Sequence, residues 1–138
     1  MSQSPATRAH AKPRPLSPHL TIYRPPITMT MSIVHRITGG ALYVGTLLVA
    51  FWLMAAAGPR PYFDFANGIF GSWIGQLILF GYTWALMHHM LGGIRHFVWD
   101  TGAGLEKHTA SKIAWATLIG SVLLTLAIWA VGYYVRGA

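Results

Sequence analysis

The segment HHMLGGIRH, residues 88–96, gathers ionisable side chains at the end of an otherwise apolar stretch. His89, Gly92, Gly93 and His96 are spaced i, i+3, i+4 and i+7, so in a helix they share one face. That face would carry an imidazole at each end and a notch of two glycines between them. The spacing is typical either of close helix packing, the common use of small residues in membranes, or of a flat group lying against the notch.

A haem would suit such a face. A neutral imidazole ligates iron, and haem propionates need cationic partners. His35, Arg36 and Arg95 are the cationic candidates expected near the aqueous boundary, because His89 lies six residues before Arg95 and therefore about 9 Å deeper. His88 is turned about 100° from His89 on the helix and cannot ligate the same iron with it. One histidine leaves the other side of the iron open, so spacing alone does not decide for haem.

Two other interpretations of these side chains compete with a cofactor site. An arginine at the centre of a membrane helix costs about 2.5–3.5 kcal/mol, so such residues face a cavity, a cofactor or a proton path unless they reach the interface. Snorkelling to the interface is open for Arg95 and His96. A proton relay would need acids deep in the apolar segments, but the three acids of the chain all lie in or beside expected loops. A small proton-conducting protein is therefore disfavoured.

The composition indicates a membrane protein. Hydrophobic residues make up 54% of the 138 residues and charged residues only 9%, against about 25% charged residues in a soluble domain. The net charge of +7 is concentrated in a basic N-terminal tail, yet no basic face interleaved with aromatics follows it, which argues against nucleic-acid binding. The absence of cysteine excludes disulfides, iron–sulfur ligation by this chain and haem attachment through CxxCH.

Three uncharged segments are each long enough to cross a bilayer, which takes about 20 helical residues. We therefore predict an all-α integral membrane protein with a tail over residues 1–28 and a transmembrane domain over residues 29–138. Its spans are expected at about 30–57, 68–97 and 111–135. Glycines and prolines predict a loop over 57–68, and a second loop is expected over 99–112.

Basic residues predict the orientation of these spans. The tail and the second loop together hold six Lys or Arg, whereas the first loop and the C-terminus hold two. The N-terminus is thus expected in the cytoplasm (or matrix) and the C-terminus on the opposite side. The tail is expected to be retained, because it lacks the short apolar core of a signal peptide and the apolar face of a transit peptide. In this topology the start of the first span and the end of the second lie at similar depth.

Two longer motifs resemble a known family. RPLSPHLTIYRPPITMTMSIVHRITG, residues 14–39, is similar to the N-terminal signature of the cytochrome b556 subunits of succinate dehydrogenase. HHMLGGIRHFVWD, residues 88–100, is similar to their second signature, a histidine followed by three variable residues, GIRH and a terminal acid. The order and spacing of the motifs and the three-span layout agree from residue 14 to the end.

The resemblance implies a non-catalytic subunit that packs with a second membrane anchor. Together the anchors hold a flavoprotein and an iron–sulfur protein on the cytoplasmic or matrix face. Electrons pass from succinate through these proteins to ubiquinone, and a b-type haem is held between the anchors within the lipid. A bacterial inner membrane is the expected location, with the mitochondrial inner membrane as the alternative. The resemblance allows a trimer of four-subunit complexes, and an anchor of a fumarate reductase is the alternative function.

The resemblance also assigns roles to residues. His89 precedes the glycine of GIRH by four positions and is the expected axial ligand of the haem iron, the other ligand coming from the second anchor. Ser32, His35 and Arg36 match the SxxHR element of the family. Ser32 and Arg36 are then expected to line the quinone pocket, and His35 and Arg36 to approach a propionate. The alternative for Ser32 is a hydroxyl bonded to the backbone of its own helix.

Neighbouring residues leave alternatives open. Arg95 is a candidate cofactor contact, but Arg95 and Asp100 could instead pair with each other or with the iron–sulfur subunit. A slip of one residue would exchange His88 for His89; the GIRH spacing and the glycine face select His89. His88 is expected to face another helix or lipid headgroups. Gly92 stands where the family tolerates other residues, so no function is assigned to it.

Overall fold

The structure, a computed structural model, describes residues 15, 17, 19 and 22–137. Four α-helices occur in this part of the chain, and no strand: α1 Ile27–Ala57, α2 Arg60–Gly71, α3 Trp73–Asp100 and α4 Lys107–Gly137. Helices α1, α3 and α4 have the length and apolar composition needed to cross a membrane. The predicted all-α fold class with three membrane spans is confirmed.

Helix α1 begins directly after two prolines. Pro26 has extended backbone angles and is the residue before the helix, and its carbonyl accepts from the N–H groups of Met29 and Thr30 at 3.0 and 3.1 Å. A proline cannot donate to a preceding turn and restricts the residue before it, so the helix starts where the prolines end. Most of the predicted tail over 1–28 lies outside the described residues.

The loop predicted over residues 57–68 is wrong for most of its length, because the structure has α2 there. Pro61 lies in the first turn of α2, where the missing N–H would have no helical partner in any case. Arg60 and Asp64 form an i,i+4 ion pair, with 2.9 Å between Nε and Oδ1. The second membrane helix therefore begins at Trp73, after a corner at Ser72 whose hydroxyl oxygen accepts from the next helix.

Helices α3 and α4 run antiparallel along a polar seam. The Tyr133 hydroxyl donates to Gln76 at 3.3 Å, and the Trp129 indole N–H donates to the Thr83 hydroxyl at 3.2 Å. These partners follow in opposite order on the two helices, which defines the antiparallel register. The buried face of α4 consists of small and hydroxyl-bearing residues: Ala114, Thr117, Ser121 and Thr125.

The molecule has small or polar residues inside and large apolar residues outside. Ile37 and Leu47 on α1 are 65% and 68% exposed, and only five apolar residues within the described part of the chain are buried, four of them alanines. Lipid chains are as apolar as leucine, so burying large side chains gains little in a membrane, and small residues allow backbones to approach. The distribution matches three helices surrounded by hydrocarbon.

Candidate functional site

The site lies where α1 and α3 cross, and its centre is a pair of histidines. His89 Nδ1 is 3.1 Å from the backbone oxygen of His35, and His35 Nε2 is 3.2 Å from the backbone oxygen of His89. A carbonyl oxygen only accepts, so each ring nitrogen must carry the proton. The two rings stack with 4.0 Å between their centroids and 10° between their planes. We call this reciprocal pair the histidine clasp.

A threonine supports the clasp from α1. The hydroxyl of Thr38 donates to the backbone oxygen of His35 at 3.0 Å and lies 3.5 Å from His89 Nδ1. Thr38 is 3% exposed, so the described residues bury this side of the site. The His35 oxygen thus accepts from both the Thr38 hydroxyl and the His89 ring.

Two glycines make room for the rings. A methyl group at Gly39 would lie 2.9 Å from Cε1 of His89, and one at Gly92 would overlap the ring of His35. The two glycines of the predicted notch therefore differ in their surroundings. Gly92 serves close helix packing and is filled by His35, whereas a methyl group at Gly93 would meet no described atom within 4 Å. The flat group expected against both glycines has room only on the Gly93 side.

The His89 ring has the chemistry of an iron ligand. Its Nδ1 carries the proton that the His35 carbonyl accepts, which leaves the lone pair on Nε2. Nε2 makes no hydrogen bond with any residue that the structure describes. Metal-bound histidines usually donate their other ring N–H to a carbonyl or carboxylate, which fixes the tautomer. The residues present therefore fit a haem with His89 as one axial ligand.

Ser32 and Arg36 lie one helical turn apart on the flank of α1 beside the clasp. Arg36 is exposed and Ser32 half-buried. The Ser32 hydroxyl makes no hydrogen bond within the described part of the chain, whereas most hydroxyls of the membrane helices, such as those of Thr38, Thr83 and Ser111, donate to a carbonyl of their own helix. The alternative of a back-bonded Ser32 is thus not what the structure has, and its hydroxyl is available to a ligand.

His88 belongs to a different environment from His89. It is fully buried and faces α4, one of the two surroundings expected for it, with 3.3 Å between Nδ1 and the Ser121 oxygen. The Ser121 hydroxyl itself donates to Leu118 at 2.8 Å, so the His88 Nδ1–H donates to Ser121. His88 is thus enclosed between α3 and α4 of its own chain.

Arg95 shares the face of His88, since the two are seven residues apart. Its side chain is 2% exposed and its Cζ lies 5.0 Å from the centre of the Trp99 ring. The pairing of Arg95 with Asp100 is not formed, because the ion pair between Arg60 and Asp64 is the only one among the described residues. Nε and Nη1 of Arg95 have no hydrogen-bond partner there either. Its role as a cofactor contact stays a prediction.

Two cavities of the described chain lie away from the histidines. An apolar cavity of about 220 Å³ lies further along α1 and α3 and is lined by residues such as Gly45, Trp52, Phe70 and Tyr82. No group of three His, Asp or Glu side chains that could hold a bare metal ion occurs among the described residues. The groups around His89 therefore form one wall of a candidate site.

Sequence reasoning missed the contributions of Thr38 and Gly39, and it left open whether Gly92 serves helix packing or borders a flat group. The segment TGG at 38–40 carries a signal, because it lies one turn after His35 and would face whatever faces that histidine. For Gly92 the only signal was its position on the His89 face.

Comparisons with known proteins identify the family of the chain. A family model described as the succinate dehydrogenase/fumarate reductase transmembrane subunit matches residues 10–128. The chain is 46% identical over 113 residues to the succinate dehydrogenase cytochrome b556 subunit of Paracoccus denitrificans, covering 82% of this chain and 87% of the relative.

More distant relatives carry similar descriptions. The chain is 37% identical over 116 residues to the cytochrome b556 subunit of Rickettsia felis, covering 84% of this chain and 90% of the relative. It is 38% identical over 119 residues to the mitochondrial cytochrome b560 subunit of Sus scrofa, covering 83% and 69% of the two chains. The chain belongs to the family of succinate dehydrogenase cytochrome b subunits, the transmembrane subunits of succinate dehydrogenase and fumarate reductase.

Proposed function

We propose that this chain supplies one axial imidazole, His89, to a b-type haem and forms part of a ubiquinone site in a succinate dehydrogenase complex. The observation that carries the proposal is the bond from His89 Nδ1 to the His35 carbonyl, 3.1 Å long, because it leaves Nε2 unprotonated. A bound haem supplies one-electron transfer within the membrane. We infer that another membrane anchor would supply the second ligand of the iron, as the resemblance to the family implies.

Membership of the family makes the chain a membrane subunit of an enzyme complex rather than its catalytic subunit. We infer that it assembles with a second anchor, an iron–sulfur protein and a flavoprotein, in a bacterial inner membrane. Three apolar helices and bacterial relatives support that location. A fumarate reductase is the alternative, but the relatives cited above are all described as succinate dehydrogenase subunits. A trimer of complexes stays a prediction.

The quinone site is proposed on the flank of α1. A quinone carbonyl gains negative charge as it is reduced, and a hydroxyl donor and a guanidinium beside it stabilise that charge. Ser32 has a hydroxyl without a described partner and Arg36 is exposed on the next turn, so both can meet a ligand between this chain and its partners. His35 and Arg36 are also the proposed contacts of a propionate; Arg95 is the weaker one, because it is buried between helices of this chain.

The assignment of the iron ligand is tested by replacing the two adjacent histidines in turn. In the complex purified with both anchors, His89→Ala should abolish the b-haem band of the reduced-minus-oxidised difference spectrum. His88→Ala should keep the band, because His88 donates to Ser121 and not to a ligand. A His89→Ala complex that retains a full haem spectrum would reject the assignment, and loss of haem in His88→Ala alone would transfer it to His88.

A further inference from the structure

We propose that His35 is a positioning residue for the axial imidazole, which it holds in one tautomer and one ring plane through the histidine clasp, with Gly39 and Gly92 as the positions that admit the two rings. The inference rests on the proposed role of His89 as an iron ligand. It assigns a function to the backbone oxygen and Nε2 of His35 and to two glycines.

The tautomer of His89 follows from its acceptors. Nδ1 lies 3.1 Å from the His35 oxygen, which cannot donate, and 3.5 Å from the Thr38 hydroxyl, whose proton is directed to that same oxygen at 3.0 Å. Both oxygens near Nδ1 can therefore only accept a hydrogen bond from it. The ring is held with its lone pair on Nε2, as iron requires, by groups of this chain alone.

The plane of the His89 ring is fixed by its hydrogen bond and by the ring stacked on it. The bond at Nδ1 opposes rotation about the Cβ–Cγ bond of His89, and the His35 ring lies parallel to it at 4.0 Å. His35 is itself held, because its Nε2–H donates to the His89 oxygen at 3.2 Å. Gly39 borders His89 and Gly92 borders His35 so closely that neither glycine can carry a side chain without moving a ring.

The clasp is separable from a propionate contact of His35. The clasp uses the Nε2–H of His35, so a neighbouring anion could be met only by Nδ1, and only while the ring carries both protons. A methyl group at position 92 moves the His35 ring without removing the imidazole. A methyl group at position 39 presses on His89 itself. Both substitutions thus act on the position of the rings and leave the donors of the site chemically intact.

The experiment compares matched glycine substitutions in the purified complex containing both anchors. Gly92→Ala is paired with Gly81→Ala on α3, and Gly39→Ala with Gly40→Ala on α1, since Gly81 and Gly40 have no described atom within 4 Å of an added methyl group. Gly93 is not used as the control because it shares the His89 face. All four gain the same helix propensity, so only the ring contact differs within a pair.

The readouts are the low-field g value of the oxidised haem in electron paramagnetic resonance, which depends on the planes of the axial imidazoles, and the rate of haem loss on warming in detergent. We expect Gly92→Ala and Gly39→Ala to shift the g value and to accelerate haem loss at least several-fold. Gly81→Ala and Gly40→Ala should match the unmodified complex. If all four variants had the same g value and the same rate of haem loss, the proposal would be overturned.

A second variant covers failed assembly of the glycine variants. His35→Phe keeps an aromatic ring to stack on His89 but removes the N–H donor, and it should also shift the g value; an unchanged signal overturns the clasp. The proposed function fails separately, when His89→Ala retains the haem spectrum. In that case a haem-independent readout still tests the clasp: Gly92→Ala should lower the melting temperature of the complex and Gly81→Ala should not.

Discussion

Ser32 lies on α1 beside the histidine clasp, and among the described residues its hydroxyl makes no hydrogen bond to its own helix. In a membrane helix a serine or threonine ordinarily donates to a carbonyl three or four residues back, as Thr83 and Ser111 do at 2.8 and 2.9 Å. Ser32 makes no such bond within the described part of the chain, and it lies half-buried one turn before the exposed Arg36. This free hydroxyl is the reason why Ser32 is proposed as a donor to the quinone.

Replacing Ser32 by Ala should weaken quinone reduction while sparing succinate oxidation. Loss of one neutral hydrogen bond is worth about 1 kcal/mol, or roughly 5-fold in the rate of quinone reduction. The measurement compares ubiquinone reduction with reduction of an artificial acceptor that takes electrons upstream of the membrane anchors. Ser111→Ala is the control, because its hydroxyl bonds its own helix at Lys107. Equal quinone rates in both variants would remove Ser32 from the site.

The site residues show how far sequence reaches at this scale. The spacing of the motifs and the reversal of the chain between spans were enough to predict that His35 and His89 lie at one depth on facing helices. Their stacking and the filling of Gly92 could not be predicted, since both depend on the rotation of α1 about its axis. That rotation is set along the whole crossing, for example where Gly45 lets the Tyr82 ring approach.

At the scale of elements, the corner between α2 and α3 is the part that sequence patterns misjudged. Prolines and glycines predict a loop over 57–68, yet Pro61 lies in the first turn of α2, where a proline is compatible with a helix, and Gly68 lies inside α2. The corner is closed by Ser72, whose oxygen accepts from the Gly75 N–H at 3.1 Å, and by Gln76, which donates to Phe70 at 2.8 Å. Composition shows where prolines and glycines interrupt a pattern, but not whether the residues before or after them are helical.

Gly75→Ala should open this corner. An added methyl group would overlap the Ile69 carbonyl oxygen and lie 2.7 Å from Cα of Phe70, and backbone atoms cannot swing aside as a side chain can. Overpacking of this kind costs about 1–3 kcal/mol, so the melting temperature of the purified complex should fall by several degrees. Gly71→Ala, with no described atom within 4 Å of its added methyl group, should leave it unchanged. A Gly75→Ala complex as stable as the unmodified one would contradict the described packing.

At the scale of the whole molecule, the described chain carries only part of the proposed haem and quinone sites. Its polar groups face inward along the α3–α4 seam or gather at one end of the α1–α3 crossing, and its apolar side chains face outward. The histidine site forms one wall of the proposed haem site, in keeping with the proposal that another chain supplies the rest. At this scale the sequence predicts the number of spans, which the structure confirms, and their orientation, which stays a prediction. Both predictions are possible because hydrophobic length and the bias of Lys and Arg act over whole segments.

The predicted orientation can be measured directly because the chain contains no cysteine. Single cysteines would replace Gly68 on α2, Gly137 at the end of α4 and Glu106 before α4, all of them exposed. The complex is expressed in a bacterial host, and spheroplasts are treated with a maleimide that cannot cross the membrane.

Gly68→Cys and Gly137→Cys should react in intact spheroplasts, since both lie on the side poor in Lys and Arg, which should be the periplasmic one. Glu106→Cys should react only once detergent has dissolved the membrane and exposed the cytoplasmic face. The cysteine-free chain gives the background. Labelling of Glu106→Cys in intact spheroplasts would show that the orientation is the opposite of the predicted one. Ser32 and Arg36 would then lie on the periplasmic side, away from the face where the soluble subunits are proposed to bind.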